Sequence, residues 1–555
     1  MKHLILFFAL SCTISLKAQD YKSEVWNGDL GNGYYRNPII YADYSDPDVC
    51  RVDDDYYMTS SSFNCLPGLQ ILHSKDLVNW KIISAALPER LYPYNDSIPQ
   101  HGKRVWAPCI RFHNNEFYIF WGDPDFGIYM TKSENIEKNW SEPVLIKEGK
   151  GLIDPSPLWG DNGKLYLVHA YAGSRANINS IIAVCELDTV NFKPKSNSRI
   201  VYDGHGVNDV CEGPKFYKRN GYYYILMPAG GVATGWQVAL RSKNIYGPYE
   251  AKTVMKQGDT KINGPHQGAW VDTNTGEDWF IHFQDVGSAG RIIHLQPMVW
   301  KNDWPVIGID NDNDGCGTPV TKFKKPNVKV THNNIFTPQE SDEFNNETIG
   351  LQWQWHGNID EKWFFCDKQN GNLRLYATAL NPEDNNLWNT SSLLLQKIPA
   401  PNFKATTRLS FKPSDVNKNE RCGLLVMGLD YSSIEIINTN DGLFLQQIIC
   451  NNAETNNNET IAEKIRLTNS DNLFLKAEIF STGKNVKESV QGLYKEMICK
   501  FHYSTDGKKF KPLGKSFRLK EGKWIGSKIG LYCVRPYIKS DKLGWVDIDW
   551  FHITK

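Results

Sequence analysis

Five short motifs in the N-terminal half of the chain place a polar or aromatic side chain beside proline or glycine. They contain Asp46 (in Ser45-Asp46-Pro47-Asp48), Trp106 (in Trp106-Ala107-Pro108), Asp154 (in Asp154-Pro155-Ser156), Glu212 (in Glu212-Gly213-Pro214) and Gln267 (in His266-Gln267-Gly268). Any one of them alone is most simply a turn, because Asp, Gly and Pro are common turn formers. Three of the five, however, carry a carboxylic acid.

Three carboxylic acids that converge on one site suit the hydrolysis of a glycosidic bond. One acid must protonate the leaving oxygen, and a second carboxylate must act at the anomeric carbon. A third carboxylate nearby helps to keep the acid protonated near neutral pH, because ionising both groups is costly. Such a cluster also suits a divalent metal ion, but no histidines at ligand spacing accompany it.

An internal repeat predicts the elements that bring these motifs together. A polar turn followed by an aromatic-rich strand occurs five times, at residues 53–57, 114–118, 162–166, 220–224 and 276–280. The last aromatic residues of successive copies lie 48 to 61 residues apart, which is the spacing of propeller blades. The sequence therefore predicts an all-β chain with a five-bladed β-propeller over residues 30–310. The polar or aromatic residue of each motif lies roughly a dozen residues before the last aromatic residue of its repeat, so the five residues are predicted to take equivalent positions around the central channel.

Residues from about 37 to 310 resemble glycoside hydrolase family 43, the inverting five-bladed propeller family of β-xylosidases and α-L-arabinofuranosidases. The resemblance rests on an ordered series of motifs, which are Asn37-Pro38, Asp46-Pro47-Asp48, Asp54-Asp55-Tyr56-Tyr57-Met58, Ser62-Phe63, Ser74-Lys75-Asp76-Leu77-Val78-Asn79-Trp80, Trp106-Ala107-Pro108, Glu212-Gly213-Pro214 and His266-Gln267-Gly268. It implies that Asp46 is the general base, that Glu212 is the general acid, and that Asp154 orients the acid and modulates its pKa. No cofactor or metal ion is expected to take part in catalysis.

The resemblance also implies the residues that bind the sugar. Phe63 and Trp106 would line the pocket, and Arg291 would contact the bound sugar, although Trp106 could be ordinary packing and Arg291 an ion pair between blades. His266 and Gln267 are further candidates. His266 would either hold water or an ion at the channel centre or be a hydrogen-bonded interior histidine. We expect Asp48 to be a turn or supporting residue.

Residues 311–339 are rich in Asp, Asn, Gly, Pro and Lys, lack periodicity, and are predicted to be a linker. The acidic stretch Asp310-Asn311-Asp312-Asn313-Asp314-Gly315 matches the start of a calcium loop. Its twelfth position is Thr321 where such loops have glutamate, so we expect a plain acidic turn.

The remaining part, residues 340–555, is strand-rich without the propeller repeat, which is typical of a β-sandwich. Its opening residues 341–344 and its closing residues 546–551 resemble the concanavalin-like jelly roll that follows the propeller in many family 43 enzymes. In those relatives this domain often carries a structural calcium ion, for which Asp342 and Asp549 are the candidate ligands here.

The first residues have the features of a secretory signal peptide. Lys2 and His3 precede an apolar run at residues 4–14, and Ala18 is a small residue before Gln19. The run is too short to span a bilayer. Residues 1–18 are therefore predicted to be removed, leaving a periplasmic or extracellular protein without membrane insertion. Lipid attachment at Cys12 fits less well, because few apolar residues precede it.

The composition excludes several classes of protein. Lysine plus arginine and aspartate plus glutamate both total 62, so nothing in the net charge favours nucleic acid or an anionic membrane as a partner. The cysteines form no CxxC pair and no cluster with histidine, which argues against zinc. The sequence is compatible with one or two disulfide bonds but does not indicate which cysteines would pair. The aromatic content of 12% suits both strands and the stacking of sugar rings.

The sequence thus favours an exo-acting, inverting hydrolase that releases terminal xylose or arabinofuranose from plant cell-wall glycans. The alternatives are a non-catalytic carbohydrate-binding protein and an exo-hydrolase of the same family that acts on another sugar, such as galactose. A retaining five-bladed hydrolase of the fructan-cleaving type is disfavoured, because its Asn-Asp-Pro-Asn-Gly and Arg-Asp-Pro motifs are missing.

Overall fold

Five four-stranded antiparallel sheets between Asp48 and Ile307 form the blades of a propeller. The computed structural model describes residues 21–91, 96–329, 334–487, 493–538 and 540–555, so the predicted signal peptide and Cys12 lie outside the described residues. The strands of this part are β1 (Tyr34–Arg36), β2 (Asp48–Val52), β3 (Asp55–Thr59), β4 (Gly68–Ser74), β5 (Lys81–Leu87), β6 (Trp106–His113), β7 (Glu116–Asp123), β8 (Gly127–Ser133), β9 (Val144–Glu148), β10 (Leu152–Trp159), β11 (Leu165–Tyr171), β12 (Ile181–Leu187), β13 (Arg199–Asp203), β14 (Lys215–Arg219), β15 (Tyr222–Ala229), β16 (Trp236–Ser242), β17 (Glu250–Met255), β18 (His266–Asp272), β19 (Asp278–Asp285), β20 (Arg291–Lys301), β21 (Trp304–Ile307) and β22 (Lys322–Lys324). Blade 1 is β2–β5, and each later blade uses the next four strands in order through β21.

Each repeated turn of the sequence joins the first two strands of a blade. Asp53, Asn114 and Asn220 adopt left-handed backbone conformations in these turns, as do Gly163 and Gly276. Asp, Asn and Gly tolerate that conformation best, so the polar residues of the repeat close the hairpins and the aromatic residues after them enter the second strand. The predicted five-bladed architecture is confirmed.

Apolar clusters fill each of the five contacts between neighbouring blades and close the ring. Representative buried pairs, from the first contact to the closing one, are Ile71 with Ile119, Phe120 with Leu167, Val168 with Ile225, Leu226 with Phe280, and Phe283 with Met58. The last pair joins blade 5 to blade 1. The hydrophobic effect therefore holds the ring closed, although no strand is shared between the first and the last blade.

The predicted linker at residues 311–339 is not free of regular structure. Its strand β22 pairs with β1, the strand that precedes the propeller, in an antiparallel ladder that joins Tyr35 to Phe323. The absence of periodicity hid this ladder, because three residues are too few to show an alternation of polar and apolar side chains.

Residues beyond the linker form two packed sheets, which confirms the predicted β-sandwich. The strands are β23 (Gln354–Trp355), β24 (Phe364–Asp367), β25 (Asn372–Tyr376), β26 (Thr378–Ala379), β27 (Leu394–Lys397), β28 (Asn402–Lys412), β29 (Glu420–Met427), β30 (Tyr431–Thr439), β31 (Gly442–Cys450), β32 (Thr460–Arg466), β33 (Leu473–Lys487), β34 (Leu493–Ser504), β35 (Lys511–Arg518), β36 (Lys528–Arg535) and β37 (Trp545–Thr554). One sheet has the order β23-β27-β36-β29-β30-β31-β32, with β26 beside β36, and the other has the order β24-β25-β37-β28-β33-β34-β35. Their inward apolar residues form one continuous core.

Helical segments in the described residues are confined to four short turns. They are an α-helix at Gly173–Ala176 and 3-10 helices at Gly287–Ala289, Glu361–Trp363 and Ala453–Thr455. None of the described helices is long and apolar enough to cross a membrane.

Candidate active site

An unusual backbone conformation lies near the start of the first strand, or just before it, in four blades. Asp46, Ala107, Asp154 and Gly213 all have φ between 37° and 58° and all precede a proline. The residues two positions further on are Asp48, Cys109, Ser156 and Lys215. Each of them pairs with the residue two positions after the last aromatic residue of the repeat in its blade. The four residues before proline are therefore equivalent. Trp106 lies one residue before Ala107, and Glu212 lies one residue before Gly213. The predicted equivalence was wrong by one residue at these two sites.

Asp46 is held by hydroxyl groups and by an arginine. Its Oδ2 accepts hydrogen bonds from Ser61 Oγ (2.6 Å) and Ser45 Oγ (3.1 Å), and Nη1 of Arg291 lies 3.3 Å from Oδ1. Ser61 Oγ also accepts from the backbone amide of Ala107 at 2.7 Å, which connects blade 1 to blade 2. These contacts fix the orientation of the Asp46 carboxyl group, which a general base needs in order to reach its water molecule.

Asp154 and Glu212 are linked through the backbone. Oδ2 of Asp154 accepts a 2.7 Å hydrogen bond from the amide of Gly213, the residue after Glu212. Burial and the neighbouring Glu212 carboxylate raise the pKa of Asp154 to about 8. Gly213 is required here, because a Cβ would lie 2.6 Å from the side chain of Gln267. Asp154 can therefore orient the loop of the acid, and because ionising both carboxyl groups is costly, Asp154 and Glu212 together keep one proton near neutral pH.

His266 lies behind Glu212 and does not line the pocket. Its Nε2 is 3.0 Å from Oε1 of Glu212, its exposed fraction is 0%, and its Nδ1 has no hydrogen-bond partner among the described residues. An N–H at Nε2 donates to an ionised carboxylate, whereas a neutral Nε2 accepts from a protonated one. The predicted substrate contact is therefore replaced by a contact with the acid.

The walls of the pocket include three aromatic rings and come from both domains. The pocket has a volume of about 470 Å³ with its mouth included, and its lining residues are Asp46, Phe63, Trp106, Ala107, Ile153, Asp154, Glu212, Val232, Gln267, Arg291 and Trp524. The ring of Trp106 meets Phe63 edge to face at 6.2 Å and meets Trp524 in the same way at 5.9 Å.

Asp48 belongs to a buried ion cluster and does not line the pocket. It is completely buried; its Oδ2 accepts from Nη1 of Arg111 at 2.6 Å, and Nζ of Lys215 lies 3.6 Å from its Oδ1. Asp48 therefore holds charged side chains of blades 2 and 4 inside the propeller. The expectation of a supporting residue agrees with this position.

The arrangement thus places two carboxyl groups from different blades on one aromatic-walled pocket, with a third beside one of them. Two sequence profiles match the chain, "Glycosyl hydrolases family 43" over residues 35–305 and "Beta xylosidase C-terminal Concanavalin A-like domain" over residues 341–554. A protein of Xylanibacter ruminicola named "Putative beta-xylosidase" is 35% identical over 517 residues, which is 93% of this chain and 89% of that protein. The chain belongs to glycosyl hydrolase family 43.

Other relatives of this family 43 enzyme resemble it over most of its length. The "Non-reducing end alpha-L-arabinofuranosidase BoGH43B" of Bacteroides ovatus is 31% identical over 74% of this chain and 77% of its own. The crystal structure of the GH43 protein BlXynB from Bacillus licheniformis superposes with a TM-score of 0.77 at 26% identity, covering 94% of this chain and 99% of that one. The protein is therefore a glycosidase, and the predicted family is confirmed.

Trp524 is the pocket residue of this family 43 enzyme that the sequence did not indicate. It belongs to the sandwich, lies before β36 and has a left-handed backbone with φ of 64°. The amide of Gly526 donates to Oδ2 of Asp43 at 2.9 Å, and Oδ1 of Asp43 accepts from the amide of Arg291 at 2.9 Å. Asp43 therefore ties the loop that carries Trp524 to the strand that carries Arg291.

The carboxylates considered for calcium are engaged in other ways. Both oxygens of Asp342 accept hydrogen bonds from N–H groups, including that of Trp353 at 3.0 Å, and Asp549 pairs with Arg408 at 2.8 Å. Neither belongs to a cluster of three or more ligating groups among the described residues. Asp310, Asp312 and Asp314 do form such a cluster, with ligating atoms within 4.8 Å of one another, and Lys301 and Lys256 pair with its two ends.

Proposed function

We propose that this enzyme is an inverting exo-glycosidase that removes terminal xylose or arabinofuranose from plant cell-wall glycans, such as xylan, arabinoxylan, arabinan or pectin side chains. The observation that carries the proposal is the single pocket that Asp46, Asp154 and Glu212 share with three aromatic rings. A pocket closed on one side by Trp524 favours the end of a glycan chain over its middle. The names of the relatives make a β-xyloside the first substrate to test and an α-L-arabinofuranoside the second.

In the proposed reaction, Glu212 donates its proton to the glycosidic oxygen as the bond to the anomeric carbon breaks. Asp46 takes a proton from a water molecule, and the oxygen of that water attacks the anomeric carbon from the opposite face. Ser61, Ser45 and Arg291 hold the Asp46 carboxylate in place. Asp154 orients Glu212 through Gly213, and repulsion between the two carboxyl groups keeps one proton on the pair.

The blade positions of the two carboxyl groups support inversion of the anomeric configuration. Asp46 lies in blade 1 and Glu212 before the first strand of blade 4, which are next-nearest neighbours in a closed ring of five. We expect their carboxyl groups to lie about 6.5–9.5 Å apart, which leaves room for a water molecule. Proton NMR at early times tests this step, because the first sugar released must have the opposite anomeric configuration to the substrate. A first product with retained configuration would make Asp46 a nucleophile.

A panel of chromogenic glycosides tests the substrate. We expect the purified protein to cleave β-xylosides or α-L-arabinofuranosides. A preference for galactosides would instead indicate an exo-hydrolase of the same family that acts on galactose. Binding of xylo-oligosaccharides without turnover of any glycoside would favour a carbohydrate-binding protein instead. We further propose that residues 1–18 direct secretion, which N-terminal sequencing of the exported protein would test by starting at Gln19.

A further inference from the structure

A buried lysine and a buried cysteine meet where the propeller contacts the sandwich. Nζ of Lys528, the first residue of β36, lies 3.0 Å from Sγ of Cys65, in the loop between β3 and β4. Their exposed fractions are 4% and 1%. An amine and a thiol from different domains are therefore in contact inside the protein.

This amine has no carboxylate partner. The second hydrogen bond of Lys528 goes to Oε1 of Gln354 at 3.1 Å, and Nζ of Lys397 donates to the same oxygen at 3.1 Å. Neither lysine forms an ion pair with a carboxylate in the described part of the chain. Burial and the charge of Lys528 lower the pKa of Lys397 to about 7. Because an unpaired buried ammonium is costly, the thiolate of Cys65 is the counter-charge that this geometry offers to Lys528.

The contact joins two segments that build the pocket. Cys65 follows Phe63 by two residues, and Lys528 follows Trp524 by four, and both aromatic rings line the pocket. Asn64 lies between Phe63 and Cys65 in the chain. Its Nδ2 group donates to the carbonyl of His356 at 2.8 Å, which docks the same loop on the sandwich. A bond between Cys65 and Lys528 would fix the propeller wall and the sandwich wall relative to each other.

We propose that peroxide converts this contact into a covalent crosslink between Sγ of Cys65 and Nζ of Lys528. The thiolate attacks one oxygen of hydrogen peroxide, the O–O bond breaks, and the departing hydroxide takes a proton to become water. The product is a sulfenic acid, which condenses with nitrogen nucleophiles. The neutral amine then attacks the sulfur, an S–N bond forms as the S–O bond breaks, and the hydroxyl group leaves with a proton from nitrogen as a second water. Sulfur loses two electrons, and the peroxide is reduced to water.

The neighbouring lysine serves both steps. As an ammonium, it stabilises the thiolate, which is the form that peroxide oxidises. As a neutral amine, it is the nucleophile already placed at the sulfur.

The experiment is peptide mapping of the full-length protein after treatment with hydrogen peroxide. We expect a joined pair of tryptic peptides, one with Cys65 and one with Lys528, whose mass is that of the two peptides less two hydrogen atoms. Cleavage after Lys528 should be lost, and dithiothreitol should restore both peptides. Finding Cys65 as a free thiol, or as a sulfinic acid without a joined peptide, would overturn the proposal.

Cys366 supplies the matched control, because it is the one described cysteine that is not buried. If exposure alone governed oxidation, Cys366 would react and Cys65 would not, which also would overturn the proposal. Cys366→Ser should keep the crosslink, whereas Cys65→Ser should lose it.

The oxidised wild type should melt several degrees higher than the reduced protein, and Cys65→Ser should show no such difference. Lys528→Met should yield no joined peptide and should also slow the oxidation of Cys65, because the sulfur loses its neighbouring ammonium; if this variant does not fold, the wild-type map and Cys65→Ser decide.

Discussion

The carboxylate of Asp154 accepts a 2.7 Å hydrogen bond from the amide of Gly213, the residue that follows Glu212. Blade 3 thereby holds the loop of blade 4 that carries the acid. Asp154 is nearly inaccessible to solvent at 3% exposure, so its carboxyl group interacts with that of Glu212 with little screening. Two carboxyl groups that interact in this way release their protons as a pair.

Replacing Asp154 with asparagine should shift the pH dependence of catalysis. Burial and Glu212 raise the pKa of Asp154 to about 8, so the pair holds a proton through neutral pH. The Asp154→Asn variant removes one negative charge, and the remaining carboxyl group then loses its proton at lower pH. The alkaline limb of the kcat/KM profile should therefore move to lower pH. Asp123→Asn, which changes another buried aspartate with a raised pKa outside the pocket, should leave the limb in place. An unmoved limb in Asp154→Asn would make the residue purely structural.

The two proposed catalytic carboxyl groups should differ in chemical rescue. Glu212→Gln and Asp46→Asn should each lower kcat on an unactivated disaccharide by about a hundred- to ten-thousand-fold. An aryl glycoside with a good leaving group needs little protonation, so it should restore much of the rate to Glu212→Gln and none to Asp46→Asn. Initial rates on both substrates, with circular dichroism to confirm folding, make the comparison. Equal rescue of both variants would contradict the division into acid and base.

Much of the propeller was predictable because its signals are local. A turn that needs Asp, Asn or Gly in the left-handed conformation recurs at blade spacing, and the aromatic residue after it must enter the second strand. The same local reasoning misplaced Trp106 and Glu212 by one residue. Their motifs were aligned on the polar or aromatic side chain, whereas the backbone repeats on the residue before proline.

Trp524 could not be predicted from any repeat or motif. It reaches the pocket only because the Gly526 amide bonds to Asp43 and the amide of Ser527 donates to the carbonyl of Ser288 at 2.7 Å. A Cβ on Gly526 would lie 2.7 Å from the backbone of Ala289, so the close approach of the loop depends on this glycine. Such docking joins residues far apart in the chain, and the sequence marks it only by two glycines around a tryptophan.

Removing the ring of Trp524 should weaken substrate binding more than it slows the chemical step. The ring lines the pocket, lies edge to face with Trp106 and has the guanidinium group of Arg291 5.8 Å from its centre, but no hydrogen bond among the described residues joins it to Asp46 or Glu212. We expect Trp524→Ala to lower kcat/KM by about 10- to 100-fold, mainly through KM. Trp524→Phe should recover part of the loss. Trp550→Ala, on β37 away from the pocket, is the matched control and should keep kcat/KM unchanged. An unaltered KM in Trp524→Ala would remove the sandwich from the substrate site.

Glu340 should make the protein less stable as the pH rises. This residue opens the sandwich, and its side chain is buried where Oε2 accepts a 2.8 Å hydrogen bond from Ser23 Oγ. Burial raises its pKa to about 8, whereas an unfolded glutamate titrates near about 4.3. Between these values the folded state holds a proton that the unfolded state has released, so the free energy of unfolding falls with increasing pH.

The Glu340→Gln variant should remove this part of the pH dependence. Glutamine keeps a carbonyl oxygen for Ser23 Oγ and cannot ionise, so its stability should fall less steeply than that of the wild type between about pH 5 and pH 8. Chemical denaturation at a series of pH values measures the two slopes. Glu343→Gln is the control, because Glu343 is 61% exposed and pairs with His552 at the surface; it should keep the wild-type slope. Asp154 and Asp285, whose buried carboxyl groups also have raised pKa values, act in the same direction and leave a residual slope in Glu340→Gln. If Glu340→Gln and the wild type lose stability in parallel as the pH rises, Glu340 does not hold the proton that this argument assigns to it.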